Sequence, residues 1–190
     1  IGQGGSVFDS YNTGSVSGQT YVGGIAGNSG NSISNSYNIG NVSGQNYIGG
    51  IVGQGSSDGV SNSYNAGNVS GTERVGGIAG SGASVSNSYN TGIVSGTSYV
   101  GGLVGNGRNI LMSYNTANVI ATGDRVGGLA GDADLVFNSY NIGSVSGANY
   151  VGGLGGNVDM VMNAFNVGSV AGTGSNVGGL IGAGSASYAY

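Results

Sequence analysis

The chain of 190 residues has no proline, cysteine, histidine or tryptophan, and its three basic residues are all arginine. Each absence removes a class of function. Without cysteine there is no disulfide framework and no thiolate metal site. Without histidine, cysteine or lysine there is no Ser–His triad, no thiolate nucleophile and no Schiff base, and zinc lacks its usual ligands. No cofactor is expected. Charged residues are 5% of the chain, against about 25% in ordinary domains. Three arginines against seven acids, net charge −4, leave no basic stripe, so no nucleic-acid partner is expected. No run of about 18 apolar residues is present, so no membrane insertion is expected. Low charge and the lack of lysine point to an extracellular or cell-surface location rather than to a free cytosolic monomer.

What the chain has instead is glycine, 45 residues of it, and a repeat. The phrase SYNTGSVSG begins at Ser10 and returns as SYNIGNVSG at Ser36, SYNTGIVSG at Ser88 and SYNIGSVSG at Ser139. Its aromatic residue falls at Tyr11, Tyr37, Tyr64, Tyr89, Tyr114, Tyr140 and Phe165, a spacing of 25–27 residues, and Tyr190 opens a further copy. A second phrase follows each first one: VGGIAG from Val22, IGGIVG from Ile48, VGGLVG from Val100 and their relatives. Such periods mark stacked repeat architectures.

Glycine every few residues argues against helix. Short Val/Ile/Tyr/Ser runs bounded by Gly and Asn read as strands and turns. Three short strands per unit are expected, for example residues 84–90, 92–96 and 99–105. Aligned by repeat, four columns are always apolar: Val7 to Val161 four residues before the aromatic, Val16 to Val170 five after it, and the first and fourth residues of the second phrase. They are the expected interior. Columns such as Ser17, Ser43, Ser70 and Ser95 are small and polar, hence outside. One unit buries little alone; stacked units bury continuous ridges. The expected fold is all-β, a parallel β-solenoid (β-helix) of about seven coils and roughly 34 Å length. Residues 1–190 form a single repeat domain with a partial coil at each end.

Asn follows the aromatic in every copy: Asn12, Asn38, Asn65, Asn90, Asn115, Asn141 and Asn166. Asn suits a corner in left-handed geometry and can hydrogen-bond along a stack; a ligand-binding role is the alternative. The paired glycines, such as Gly23–Gly24 and Gly101–Gly102, lack the following helix of a phosphate loop. They read as tight packing at a bend or as positive φ. Phe165 stands in for tyrosine, so the hydroxyl is dispensable and the aromatic column is expected to point inward, with an outer groove as the alternative.

GGIAG, GGIVG, GGLVG, GGLAG and GGLIG, together with the preceding SYNxGxVSG phrase, resemble the GLUG-motif repeat of large bacterial surface and secreted proteins, including filamentous-haemagglutinin-like adhesins and some immunoglobulin A peptidases. The resemblance covers essentially the whole chain. It implies a stalk or accessory region and no catalytic residue. Gly155 replaces the hydrophobic residue of the motif, and Ala117 and Ala121 replace glycines in a copy that also gains a residue. A locally altered turn is expected there.

Two surface constellations carry candidate chemistry. Arg108, Asp134 and Asp159 share one column in consecutive repeats. The Asp134–Asp159 pair is a candidate for acid–base work on a polysaccharide or for holding a cation; an ordinary surface turn is the bland reading. The column before the second phrase reads Tyr21, Tyr47, Arg74, Tyr99, Arg125, Tyr150 and Asn176. It is expected to form a stacked aromatic and cation–π stripe, serving coil packing or contacting glycan or another fibre. Ice binding wants a regular Thr array, whereas Thr13, Thr91 and Thr116 are interrupted by Ile39, Ala66, Ile142 and Val167.

Neither end shows a polar cap, which isolated solenoids need. The expectation is a piece of a longer stalk, or a subunit stacking end to end with Tyr188 and Tyr190 against the next copy. The function expected is a non-catalytic structural repeat protein: an adhesin stalk or the subunit of a self-assembling surface fibre. Its partner would be itself, end to end or side by side, or host and matrix glycans. A carbohydrate-binding or polysaccharide-degrading solenoid is the alternative.

Overall fold

A computed structural model describes residues 3–184. Tyr188 and Tyr190 lie outside the described residues. The chain is a parallel β-solenoid of about seven coils, with no helix among the described residues. Every strand pairs with its counterpart one repeat away: Tyr64 with Tyr37 and Tyr89, Val69 with Val42 and Val94, Val75 with Ile48 and Val100.

Each coil is divided more finely than three strands. The third runs Val60–Ser61, Tyr64–Asn65, Val69–Ser70, Glu73–Gly76 and Ala79–Ser81. The first expected strand, residues 84–90, splits because Asn87 adopts φ 46°. The corresponding residues Asp9, Asn35, Asn62, Met112, Asn138 and Asn163 have φ of 48–50°. This left-handed corner lies two residues before the aromatic, not at the asparagine after it. The third expected strand splits at its paired glycines into Ser98–Gly101 and Val104–Asn106. The strands form one 13-stranded and three seven-stranded parallel sheets. The larger sheet joins two stacks, because Ala130–Phe137 and Gly155–Met162 each run continuously through a corner that earlier coils break.

The four apolar columns are interior and are fully buried in the middle coils, while at the ends Val16, Val170 and Leu180 are partly covered and Val177 is exposed. They form two clusters. One holds the Ile33, Ile51 and Val52 columns; the other holds the Val42 and Ile48 columns. Along the chain one passes from the first cluster to the second at the ladder asparagine, and back again at the paired glycines. These two junctions touch. A Cβ on Gly77 would lie 2.4 Å from Asn90 Cγ and 2.1 Å from the Gly102 carbonyl oxygen. The glycines have ordinary negative φ, so close approach, and not backbone conformation, requires them.

Gly155 is explained by a neighbour. A Cβ there would meet Val158 Cγ2 at 2.0 Å, and Val158 pairs with the smaller Ala133 of the preceding coil. Where that coil has Ala130 and Ala133, the next has Gly155 and Val158, so the filled volume is kept. Ala117 and Ala121 leave the coil unaltered: Asn115 still donates to the Ala117 carbonyl, and Gly96 still pairs with Ala121. The inserted residue is instead absorbed in the bend at residues 122–125, where the four-residue strand Ser98–Gly101 gives way to Val126–Gly127.

Gly77→Ala is expected to destabilise the chain by about 3 kcal/mol or more, since backbone and ladder must both shift. Gly30→Ala, with nothing within 4 Å of the added Cβ, is expected to be neutral or to stabilise by about 0.5 kcal/mol. Urea unfolding of the two variants checks the contrast.

Candidate functional site

The asparagine column is a continuous ladder. Asn12, Asn38, Asn65, Asn90, Asn115 and Asn141 each donate from Nδ2 to Oδ1 of the next, at 2.7–2.9 Å. The same nitrogen donates to the carbonyl two residues on, at 2.6–2.7 Å. From Asn38 to Asn141 these side chains are completely buried, which they tolerate because their amide protons are all used.

A second internal ladder escaped the sequence reading. Ser10, Ser36, Ser63, Ser88 and Ser113 each donate their backbone N–H to the hydroxyl of the next serine, at 3.0–3.2 Å. Each hydroxyl in turn donates to the carbonyl two residues earlier, as Ser63 does to Ser61 at 2.7 Å. Ser139 closes this run, and Ala164 takes the position in the last copy. The signal was present: the S of SYN recurs in every copy but the last.

Inside positions for Ser and Asn put the residue between them outside, by strand alternation. The aromatic column therefore faces outward, against the inward expectation. Tyr11 and Phe165 at the ends are exposed, and the five between are half-buried. Their rings stack with centroids 5.0–5.2 Å apart and planes within 9°. Phe165 is accepted because stacking uses the ring alone.

The Tyr/Arg column also lies outside. Tyr21 packs on Tyr47 with centroids 4.8 Å apart and planes tilted by 32°; the Arg74 guanidinium sits 5.0 Å from the Tyr47 ring and 5.3 Å from the Tyr99 ring; Arg125 covers Tyr99 at 5.0 Å. Arg74 also donates to the Tyr47 hydroxyl at 3.2 Å. Ion pairs hold both cations, Arg74 to Glu73 at 2.7 Å and Arg125 to Asp132 at 2.6 Å. All seven residues of the column have φ of 52–60°, a conformation costing a non-glycine residue about 1 kcal/mol or more. From Tyr21 to Arg125 the contacts between neighbouring rings and guanidinium groups offset that cost.

Asp134 and Asp159 come into register on adjacent strands, since Ala133 pairs with Val158 and Leu135 with Met160. Both are exposed. Arg108 precedes them in the column and accepts the Asp134 N–H through its carbonyl at 3.0 Å, but its guanidinium forms no ion pair among the described residues. No group of three or more acidic, His or Cys side chains stands ready for a metal among the described residues. Two cavities, of about 430 and 270 Å³, open on the first coil beside Asn12, Tyr21 and Gly24, far along the stack from both acids.

Comparison of the chain with protein-family models, with curated proteins and with solved structures finds no match. The likeness to GLUG repeats thus rests on the two phrases themselves.

Asn90→Ala removes a rung whose neighbours cannot reach water, and is expected to cost about 2–4 kcal/mol, against about 1 kcal/mol or less for Asn12→Ala at the open end. Equal losses in urea unfolding would contradict a buried ladder. Burial, then the neighbouring charges of Tyr89 and Tyr140, pushes the Tyr114 phenol above its ordinary value of 10.0. The folded state therefore holds this proton more tightly than the unfolded chain. The contribution is whole below pH 10 and is lost as pH rises beyond it. Tyr114→Phe is expected to shift the alkaline unfolding midpoint upward, read by circular dichroism; an unchanged midpoint would count against the stacked column as the source.

Proposed function

We propose that this chain is a non-catalytic structural element, the stalk of a bacterial adhesin-like surface protein or a subunit of an extracellular fibre. The observation that carries this reading is the uninterrupted run of ladders along one axis. Asparagine, serine and aromatic columns pass through successive coils, so axial load is shared among hydrogen bonds and stacked rings rather than borne by loops. The interior of the middle coils is filled by buried apolar side chains and the asparagine ladder. The resemblance of the two phrases to GLUG repeats supports a place in a surface or secreted protein, as does the scarcity of charge.

The Tyr/Arg column favours a second reading, contact with glycan. Tyr and Arg stand at left-handed positions that Gly or Asn would occupy at lower cost. Strain kept at such positions is a pointer to function, and planar side chains spaced one coil apart offer sugar rings flat surfaces.

Negative-stain electron micrographs of the purified chain test the leading reading. Straight rods one solenoid wide, free or joined into filaments of uniform width, are the expected result. Globular or collapsed particles would sink it, as would polysaccharide turnover abolished by replacing Asp134 and Asp159 with Asn. For the second reading, glycan-array binding is expected to vanish on replacing Tyr47, Tyr99 and Tyr150 with Ala.

A further inference from the structure

One outer face departs from the repeat in three consecutive coils. The residue after the inward Val7–Val161 column is Ser34, Ser61 and Ser86 in the second to fourth copies. In the next three it is Leu111, Phe137 and Met162, paired side by side in the sheet. Leu135 and Met160 extend the same outward face, and Met112 at the adjoining corner is 51% exposed. All three methionines of the chain are in this patch. None of its residues is buried, so the apolar replacements contribute nothing to the solenoid core. Here too the strand Ala130–Phe137 runs unbroken over eight residues, giving a longer sheet face.

The rim of the patch carries an ordered set of charges. Arg108, Asp134 and Asp159 lie one per coil beside Asn109, Leu135 and Met160. Of the chain's three cations, Arg108 alone has no ion-pair or ring partner among the described residues. We propose that this face docks on the same face of a second copy, related by a two-fold axis that runs parallel to the strands and lies in the interface over Ala130–Phe137. Such an axis reverses coil order while keeping position along the strand. Phe137 then meets Phe137, and Leu111 meets Met162 of the second copy. Arg108 meets Asp159 of the second copy, twice over by symmetry. An isologous contact must be self-complementary, and the order Arg, Asp, Asp is so at its two outer positions. Asp134 faces its own equivalent near the axis, a like-charge contact that keeps the dimer weak. The face is only three strands wide, small against the roughly 1,200–2,000 Å² of a stable interface. The pairing is lateral, so it adds a side-by-side contact to the structural role proposed above without depending on it.

Sedimentation velocity of the full chain over a range of concentrations tests this. A monomer–dimer equilibrium closing at two copies is expected. Phe137→Ser, which restores the residue type of Ser86 at an outward position and so leaves the core intact, is expected to abolish it. R108D and D159R are each expected to weaken association by about tenfold. An equimolar mixture of those two variants is expected to recover it, because each mixed pair regains two opposite-sign contacts. Asp134→Asn is expected to tighten the dimer a few-fold. A chain monomeric at millimolar concentration would overturn the proposal while leaving the rod, judged by micrographs, in place. Open-ended oligomers indifferent to Phe137→Ser would overturn it in favour of end-to-end stacking. Failure of the mixture to associate would overturn the two-fold register.

Discussion

The contact between the ladder asparagine and the paired glycines holds the rest of this structure together. An amide side chain reaches across the coil and fits over a glycine whose Cβ would collide with it. The amide is fully buried, so it must find partners, and it finds them in the equivalent amide one coil away and in the carbonyl two residues further along its own chain. Burial and hydrogen bonding thus force identical residues into register, coil after coil. A slip of one residue would strand a buried amide at a cost of about 1–3 kcal/mol per rung. The same contact splits the interior into two apolar clusters, each narrow enough for single Val, Ile or Leu side chains to fill.

Register on the inside organises the outside. Once asparagine and serine are turned in, the aromatic between them is turned out, and identical spacing lays the rings face to face at 5.0 Å. The Tyr/Arg column follows the same logic, with cations alternating between rings. Outer columns then tolerate change, because coil spacing is set elsewhere. Thr91, Ile39 and Ala66 share one exposed column without altering the ladders beneath. This freedom is what lets one face of three coils become apolar, and what suits a repeated rod to carrying contact surfaces of varied chemistry. Inner positions compensate where they change at all, as Gly155 and Val158 do for Ala130 and Ala133.

Period, strand content, parallel stacking and the four inward columns were legible in the amino-acid sequence, because a solenoid repeats one environment at each position. A column that never admits a polar residue can then be recognised as buried without any knowledge of coil shape. The positions of the asparagine, Tyr/Arg and Asp134–Asp159 columns followed from the same alignment. What tertiary structure alone decided is which way ambiguous residues face and what touches across the coil. The number of strands turned on left-handed φ at Asn87 and its equivalents, which a serine-rich run does not announce. The aromatic column turned outward because its neighbours claim the interior hydrogen bonds, a competition invisible to Tyr or Phe considered singly. The glycines serve the ladder asparagine of the next coil, as Gly77 does Asn90. Sequence order reports the period of a stack; only the closed section of the coil reports which residues meet inside it.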